Sequence, residues 1–124
     1  MNWLIGHLVG DYLVQNDWMA NNKKARWWPA IVHCAVYAAV MELFTWWPLW
    51  TVPAVFLSHL ALDKTMFVKH YCKWTRRDNF IDPKGIMFPW SWVSIDNTFH
   101  LLSLFIIDRM VEYGVVGRLV EWIS

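Results

Sequence analysis

Apolar residues fall into four long segments along the chain, separated by short stretches that hold most of the charged residues. Each segment approaches the roughly 20 residues that a transmembrane helix needs. The pattern predicts helices over about residues 2–20, 28–47, 51–73 and 90–111. The tail alternates apolar and charged positions after Gly114, which predicts a short interfacial C-terminal helix. The predicted fold is therefore all-α, a polytopic membrane bundle of four transmembrane helices in a single domain, 1–124.

Tryptophan marks the ends of these segments. Of 11 tryptophans, ten lie at or near a segment end: Trp3, Trp18, Trp27, Trp28, Trp46, Trp47, Trp50, Trp74, Trp90 and Trp92. Tryptophan concentrates at membrane interfaces because its ring is apolar and its N–H needs a partner. Hydrophobic residues make up 57% of the chain, more than a soluble domain of this size easily buries. The first segment has the shortest apolar run. Three arrangements therefore stay open for it: it crosses the membrane, it is re-entrant, or it is buried among the other helices.

Basic residues cluster in two of the predicted loops and set the expected topology. They are Lys23, Lys24 and Arg26 after the first helix, and Lys69, Lys73, Arg76, Arg77 and Lys84 around the end of the third. The positive-inside rule predicts that both loops are cytoplasmic and that both termini lie outside. The lipid bilayer is the expected partner. Whether the chain also forms a homo-oligomer is left open by the sequence. A net charge of +1 without a basic stripe argues against nucleic acid.

Histidine and aspartate recur inside the apolar segments at a spacing of four residues. The three pairs are His7 with Asp11, His59 with Asp63, and Asp96 with His100, and the second helix adds His33. A spacing of i, i+4 puts both side chains on one helical face. The order reverses in the fourth helix, which runs antiparallel to the first and third. All three aspartates are therefore predicted nearer the cytoplasm, with the paired histidines roughly 6 Å deeper.

Such a cluster predicts a metal site in the cytoplasmic half of the bundle. Three unpaired carboxylates in a low-dielectric place would repel one another and take up protons, whereas a divalent cation removes that difficulty. Imidazole and carboxylate ligands suit zinc, manganese or iron, and the set is large enough for two ions sharing a carboxylate bridge. The predicted ligands are His7, Asp11, His33, His59, Asp63, Asp96 and His100. An inter-helical hydrogen-bond network is the structural alternative.

Further polar residues accompany the predicted ligands. Asp11, Asp63 and Asp96 are the candidate catalytic carboxylates, one of which would serve as general base. Gln15, Lys64 and Asn97 are candidates for supporting the ligands or contacting substrate. Cys34 adjoins His33 but points about 100° away around the helix, so it is not counted as a ligand. Neither a His-Glu-x-x-His nor a Gly-x-Ser-x-Gly motif occurs.

These residues carry a resemblance to a known family. His7-Leu-Val-Gly-Asp11 runs into Gln15-Asn16-Asp17-Trp18-Met19-Ala20, and His33 with Tyr37, His59 with Asp63 and Asp96 with His100 follow. The chain resembles an uncharacterised family of small bacterial and phage integral membrane proteins, domain of unknown function 3307. That family is distantly similar to predicted membrane-bound metal-dependent hydrolases. Asn97 stands where the family usually has glutamine. The resemblance implies the bacterial inner membrane and the same ligand list.

Three functions are consistent with this pattern. The first is a metal-dependent hydrolase that acts on a phosphate ester or lipid head group from the cytoplasmic side. The second is a transport element whose histidines and aspartates relay protons or pass a metal ion. The third is a non-enzymatic phage or bacterial membrane protein with a structural His/Asp core. Transport would need a polar path toward the outer side, where the sequence offers little beyond Glu42.

Overall fold

The computed structural model describes residues 2–123, with side chains for residues 2–119. This part of the chain is helical and contains no strand, which confirms the all-α prediction. A π-helical turn, Val9–Leu13, follows the first helix directly. The α-helices are α1 Asn2–Leu8, α2 Asp17–Asn22, α3 Trp27–Thr45, α4 Thr51–Lys64, α5 Phe67–Trp74, α6 Asp78–Ile81, α7 Trp90–Glu112 and α8 Val115–Ile123.

Four of these elements form a closed bundle. The helix α3 packs against α1 and α4, α4 packs against α7, and α7 returns to α1. One cavity shows that the elements alternate in direction, because it is lined by the start of α1 and the ends of α3 and α7. The residues that line it are Asn2, Trp3, Thr45, Trp47 and Asp108. The basic loops therefore lie together at the opposite end of the bundle.

The half of the bundle near that cavity has an apolar core. Its buried members come from three helices and are Tyr37, Ala38, Met41, Val55, Leu104 and Ile107. Two glycines one turn apart let the N-terminal segment approach α3. A Cβ on Gly10 would lie 2.7 Å from Cδ2 of Tyr37, and one on Gly6 would lie 3.0 Å from Sδ of Met41. Small residues at such positions allow helices to pack closely.

The first predicted helix, 2–20, is wrong as one continuous element. The backbone N–H of Val14 donates to the carbonyl of Val9 at 3.0 Å, which closes a π-helical turn. The chain is extended at Asn16, whose side chain accepts from the backbone N–H of Met19 at 3.0 Å and caps α2. Asparagine competes with the helix through such local hydrogen bonds, so the chain restarts a helix here.

The third predicted helix, 51–73, is also divided. It ends at Lys64, because Thr65 is extended with ψ 150°, and α5 begins at Phe67. The Nζ of Lys64 donates to the carbonyls of Lys23 at 3.2 Å and Lys24 at 2.9 Å, which ties the break to the loop after α2. The predictions 28–47 and 90–111 agree with α3 and α7 within two residues.

One helix in the described part of the chain, α3, is long and apolar enough to cross a membrane. The core helix of a soluble protein can meet the same criterion, so this finding alone is weak evidence. The four complete spans that the sequence predicted are not supported. With 14 residues, α4 is about 21 Å long, short of the roughly 30 Å hydrocarbon core.

Candidate metal centre

The polar half of the bundle brings histidines and aspartates from four elements together. Asp11 comes from the π-helical turn, His33 from α3, His59 and Asp63 from α4, and Asp96 and His100 from α7. The side chains of His33, His59, Asp63 and His100 are at most 2% exposed. Because the bundle buries these groups so thoroughly, each needs a partner within the protein or a bound ligand.

We call the place where four candidate ligand atoms lie near one another the inner position: Nε2 of His33, Nε2 of His59, Oδ1 of Asp11 and Oδ2 of Asp63. Of these residues, His33, His59 and Asp63 form one group whose ligand atoms all lie within 4.8 Å of one another, and Asp11 belongs to a second group with His59 and His100. The two histidine nitrogens are 2.9 Å apart. They lie 3.2 and 3.3 Å from the Asp11 oxygen, and 3.4 and 3.5 Å from the Asp63 oxygen. Nitrogen and oxygen ligands of a tetrahedral zinc ion are about 3.3 Å apart. The inner position therefore has the spacing of a metal site.

A second group of ligand atoms, the outer position, shares the Asp63 carboxylate. Nε2 of His100 lies 3.7 Å from Oδ1 of Asp63 and 3.8 Å from Oδ2 of Asp96. Asp63, Asp96 and His100 offer ligand atoms that all lie within 4.8 Å of one another. Asp63 faces the inner position with one oxygen and the outer position with the other, as a bridging carboxylate does.

Three carboxylate oxygens at these positions have close contacts but no hydrogen bond. Both oxygens of Asp63 and Oδ1 of Asp11 are buried and accept no hydrogen bond from any residue that the structure describes, although the Lys23 ammonium lies 2.9 Å from Oδ2 of Asp63. A buried carboxylate oxygen without a hydrogen bond is costly, and natural proteins rarely leave one so. A divalent cation would satisfy these oxygens together, so they fit a metal better than a finished hydrogen-bond network.

His7 lies beside the two positions, and both of its ring nitrogens have protein partners. Nδ1 is 2.8 Å from the hydroxyl of Tyr37 and 3.5 Å from Oδ2 of Asp11, and Nε2 contacts Oδ1 of Asn97. With Nε2 donating to the Asn97 amide oxygen, Nδ1 is an acceptor for the Tyr37 hydroxyl. In this arrangement His7 orients the neighbouring groups.

Lys23, which the positive-inside pattern assigned to a cytoplasmic loop, enters the centre. Its Nζ lies 2.9 Å from Oδ2 of Asp63, as an ion pair without hydrogen-bond geometry, and 3.2 Å from Nε2 of His33. Forty residues separate Lys23 from Asp63, so no local spacing could have indicated the contact. Folding of the loop after α2 onto the end of α4 creates it.

A cleft opens the centre to the surface between the N-terminal segment and α7. Its volume is about 160 Å³, and its walls are Asp11, Tyr12, Gln15, Lys23, Val93, Asp96, Asn97 and His100. Gln15 and Asn97, which the sequence placed near the ligands, are thus both at the cleft. Tyr12 was not anticipated, and its hydroxyl lies 3.4 Å from Oδ1 of Asn97. Lys64 is not in the cleft, since its ammonium binds the two loop carbonyls.

Neither cysteine joins the centre. Cys34 and Cys72 are buried and free. Among the described residues, neither belongs to a group of His, Cys, Asp and Glu side chains whose ligand atoms lie within 4.8 Å of one another. The candidate donors at the centre are therefore nitrogen and oxygen atoms.

An all-α bundle with a buried His/Asp cluster that could hold a metal ion defines the general class of this protein. The family model "Protein of unknown function (DUF3307)" matches residues 1–119, and the chain belongs to this family. The resemblance seen in the sequence is thereby confirmed at the level of the family. No curated protein and no solved structure matched the chain.

Proposed function

We propose that this chain is a membrane-embedded, divalent-metal-dependent hydrolase of phosphate esters that works from the cytoplasmic side. The observation that carries the proposal is the inner position, beside an open cleft. There two imidazole nitrogens lie 2.9 Å apart, and each lies 3.2–3.5 Å from one oxygen of Asp11 and one oxygen of Asp63. Zinc, manganese and iron suit this donor set, and the shared Asp63 carboxylate supports two ions.

The distribution of polarity supports the membrane part of the proposal. Four histidines and Asp63 are buried inside the bundle, while large apolar side chains face outward. Leu43 is 71% exposed, Leu57 60% and Leu102 49%, on three different helices. Exposed apolar surface around a polar interior is the reverse of a soluble protein and suits a lipid environment.

The lengths of the helices suggest how the bundle lies in the bilayer. With 19 and 23 residues, α3 and α7 are about 28 and 34 Å long, so both have the length to cross the hydrocarbon core, and α3 also has the apolar composition. The shorter α4 and the N-terminal segment would reach part of the way from one side, packed against the longer helices. The basic loops then lie in the cytoplasm and the metal centre lies near them.

The residues around the cleft suggest a division of labour in phosphate ester hydrolysis. A bound divalent metal would supply an activated water near neutral pH and stabilise negative charge on the phosphoryl oxygens. The Asp96 side chain is 25% exposed at the cleft, where its carboxylate is placed to accept a proton. The Lys23 ammonium lines the same cleft, where it can pair with a phosphate oxygen.

Two features favour hydrolysis over the alternatives. Transport needs a polar path through the bundle, whereas Met41, Val55, Leu104 and Ile107 pack tightly beyond Tyr37. A purely structural polar core should satisfy its own groups, whereas Asp63 accepts no hydrogen bond within the described part of the chain.

The proposal is tested with protein purified in detergent. We expect the wild type to retain zinc, manganese or iron, measured by mass spectrometry of the metal, and to release phosphate from p-nitrophenyl phosphate or dioleoyl phosphatidic acid. Asp63→Asn should weaken metal binding at least about 100-fold, since losing even a supporting contact costs about 10–100-fold. Asp108→Asn, at the other end of α7, is the matched control and should leave metal content unchanged.

The outcomes separate the metal from the reaction. A wild type that remains metal-free after incubation with each ion would overturn the metal site. A protein that binds metal through Asp63 yet hydrolyses neither substrate would retain the site and refute phosphate ester hydrolysis. Circular dichroism of each variant shows whether the helices are intact.

A further inference from the structure

A second cavity, which we call the basic groove, lies beside the metal centre. It has a volume of about 370 Å³, within the range of small-ligand sites. Its walls combine two lysines with apolar and aromatic side chains, chiefly Lys24, Met66, Lys69, Ile81, Phe88 and Trp92. We propose that the basic groove binds an anionic phospholipid, with its phosphate at the lysines and its acyl chain along the apolar wall.

The charges of the groove point to an anion. Lys24 and Lys69 come from different elements, the loop after α2 and the helix α5, and none of the groove-lining residues that the structure describes is acidic. The Nζ of Lys24 lies 4.8 Å from the ring centre of Trp92, which holds the ammonium at the groove. Two lysines converging on one cavity suit a phosphate, which accepts from several donors.

The apolar wall points to a lipid as the source of that phosphate. A soluble phosphate would find one side-chain donor on this wall, the indole N–H of Trp92, because the side chains of Met66, Ile81 and Phe88 have none. An acyl chain, in contrast, gains by covering them. Met66 is 50% exposed, and its neighbour Phe67 is 42% exposed, so the wall continues into apolar surface outside the groove. Basic residues next to apolar surface are the usual means of binding anionic lipid.

The basic groove shares its border with the cleft of the metal centre. Lys23 lines the cleft and Lys24 lines the groove, while Val93 lines the cleft and Trp92 lines the groove. A phosphate held by Lys24 would therefore lie next to the metal centre, which makes an anionic phospholipid the substrate class. Binding in the groove stands independently of the proposed hydrolysis, whereas the assignment as substrate rests on it.

Binding is tested by photo-crosslinking in phosphatidylcholine vesicles that contain phosphatidic acid with a diazirine on its acyl chain. Metal-stripped protein is used, so that the result does not depend on hydrolysis. We expect cross-links at the apolar wall, mapped by peptide mass spectrometry. Combining Lys24→Gln with Lys69→Gln should reduce the yield roughly tenfold, since each basic contact to anionic lipid contributes appreciably. Combining Lys24→Arg with Lys69→Arg should restore it.

The matched control is Lys73→Gln, on α5 with Lys69 but outside the groove. It should label like the wild type. Equal labelling by a diazirine phosphatidylcholine, full displacement by inorganic phosphate, or unchanged labelling of the Lys24/Lys69 glutamine variant would each overturn the proposal. A variant that instead changes oligomeric state would assign the groove to a second copy of the chain. The Asp63→Asn variant should be labelled like the wild type, which would show that lipid binding in the groove does not depend on the metal centre.

Discussion

The same four elements build two very different halves of one bundle. Toward the cavity at the ends of α3 and α7, they contribute apolar side chains that pack on one another. Toward the basic loops, they contribute buried imidazoles and carboxylates, and three of the carboxylate oxygens accept no hydrogen bond from the residues that the structure describes. The apolar half is closely packed, whereas the polar half holds groups that could bind a metal ion. The comparison is consistent with a division in which packing of the apolar half positions the His/Asp groups and the proposed cation would complete the polar half.

Tyr37 is the boundary between the halves. Its ring belongs to the apolar core and also stacks on His59, with 3.8 Å between ring centres. Its hydroxyl contacts Nδ1 of His7 at 2.8 Å. Tyr37 therefore contacts both halves. Substitutions in the apolar half should lower stability, whereas substitutions in the polar half should change metal binding.

The largest effect on stability is expected from Leu104→Ala in the apolar half. Leu104 is 2% exposed, and removing a buried leucine costs about 2–5 kcal/mol because a cavity remains. Metal affinity should stay within about twofold, since no ligand lies on that side of Tyr37. Unfolding in detergent measures the first effect, and metal titration of the folded protein measures the second.

Leu102→Ala is the matched control, on the same helix but 49% exposed. It should change the free energy of unfolding by less than about 0.5 kcal/mol. A loss of metal affinity in Leu104→Ala that follows its loss of stability would show that the two halves act as one unit.

A smaller effect is expected at the boundary from Tyr37→Phe. The change keeps the ring and removes the hydroxyl, so His7 loses one of its two partners. Metal affinity should fall about tenfold, as for other residues that orient ligands, and stability by about 1 kcal/mol. Tyr113→Phe, at an exposed position, should change neither. Unaltered metal affinity in Tyr37→Phe would mean that His7 does not orient the centre.

The sequence could predict which histidines and aspartates share a helix face, because helical spacing is a local property. His59 with Asp63 and Asp96 with His100 lie on single α-helices, so the i, i+4 rule places each pair on one face. His33 lies near these pairs because α3 is one continuous helix and the helices packed against it run in the opposite direction. The predicted convergence of four elements on one polar site agrees with the observed geometry.

The interruptions of the predicted helices could not be derived from apolar pattern alone. Asn16 begins a new helix by capping α2 with its side chain, and α4 ends at Lys64, which binds carbonyls 40 and 41 residues away. The first event has a sequence signal in the preference of asparagine for N-caps. The second is tertiary and has none. Lys23 was missed for the same reason, since only the folded loop brings it to Asp63.

Lys23→Met should change metal affinity less than Tyr37→Phe does, and in the opposite direction. The Lys23 ammonium lies 2.9 Å from Asp63 and 3.2 Å from His33, so a metal at the inner position would displace it or bind against its charge. Removing the ammonium should therefore raise metal affinity roughly three- to tenfold, since an opposing cation at a partly exposed site contributes about 1 kcal/mol.

Phosphate ester turnover should fall in the same variant, because the substrate loses its cationic partner at the cleft. Lys84→Met, on an exposed loop outside the cleft, should alter neither quantity. Metal titration and steady-state kinetics at saturating metal separate the two effects. A Lys23→Met variant that binds metal more weakly would contradict this account, because Lys23 would then support the metal instead of competing with it. In that case the polar half would be held together by its own ion pair, and its difference from the apolar half would be smaller than the unpartnered carboxylates suggest.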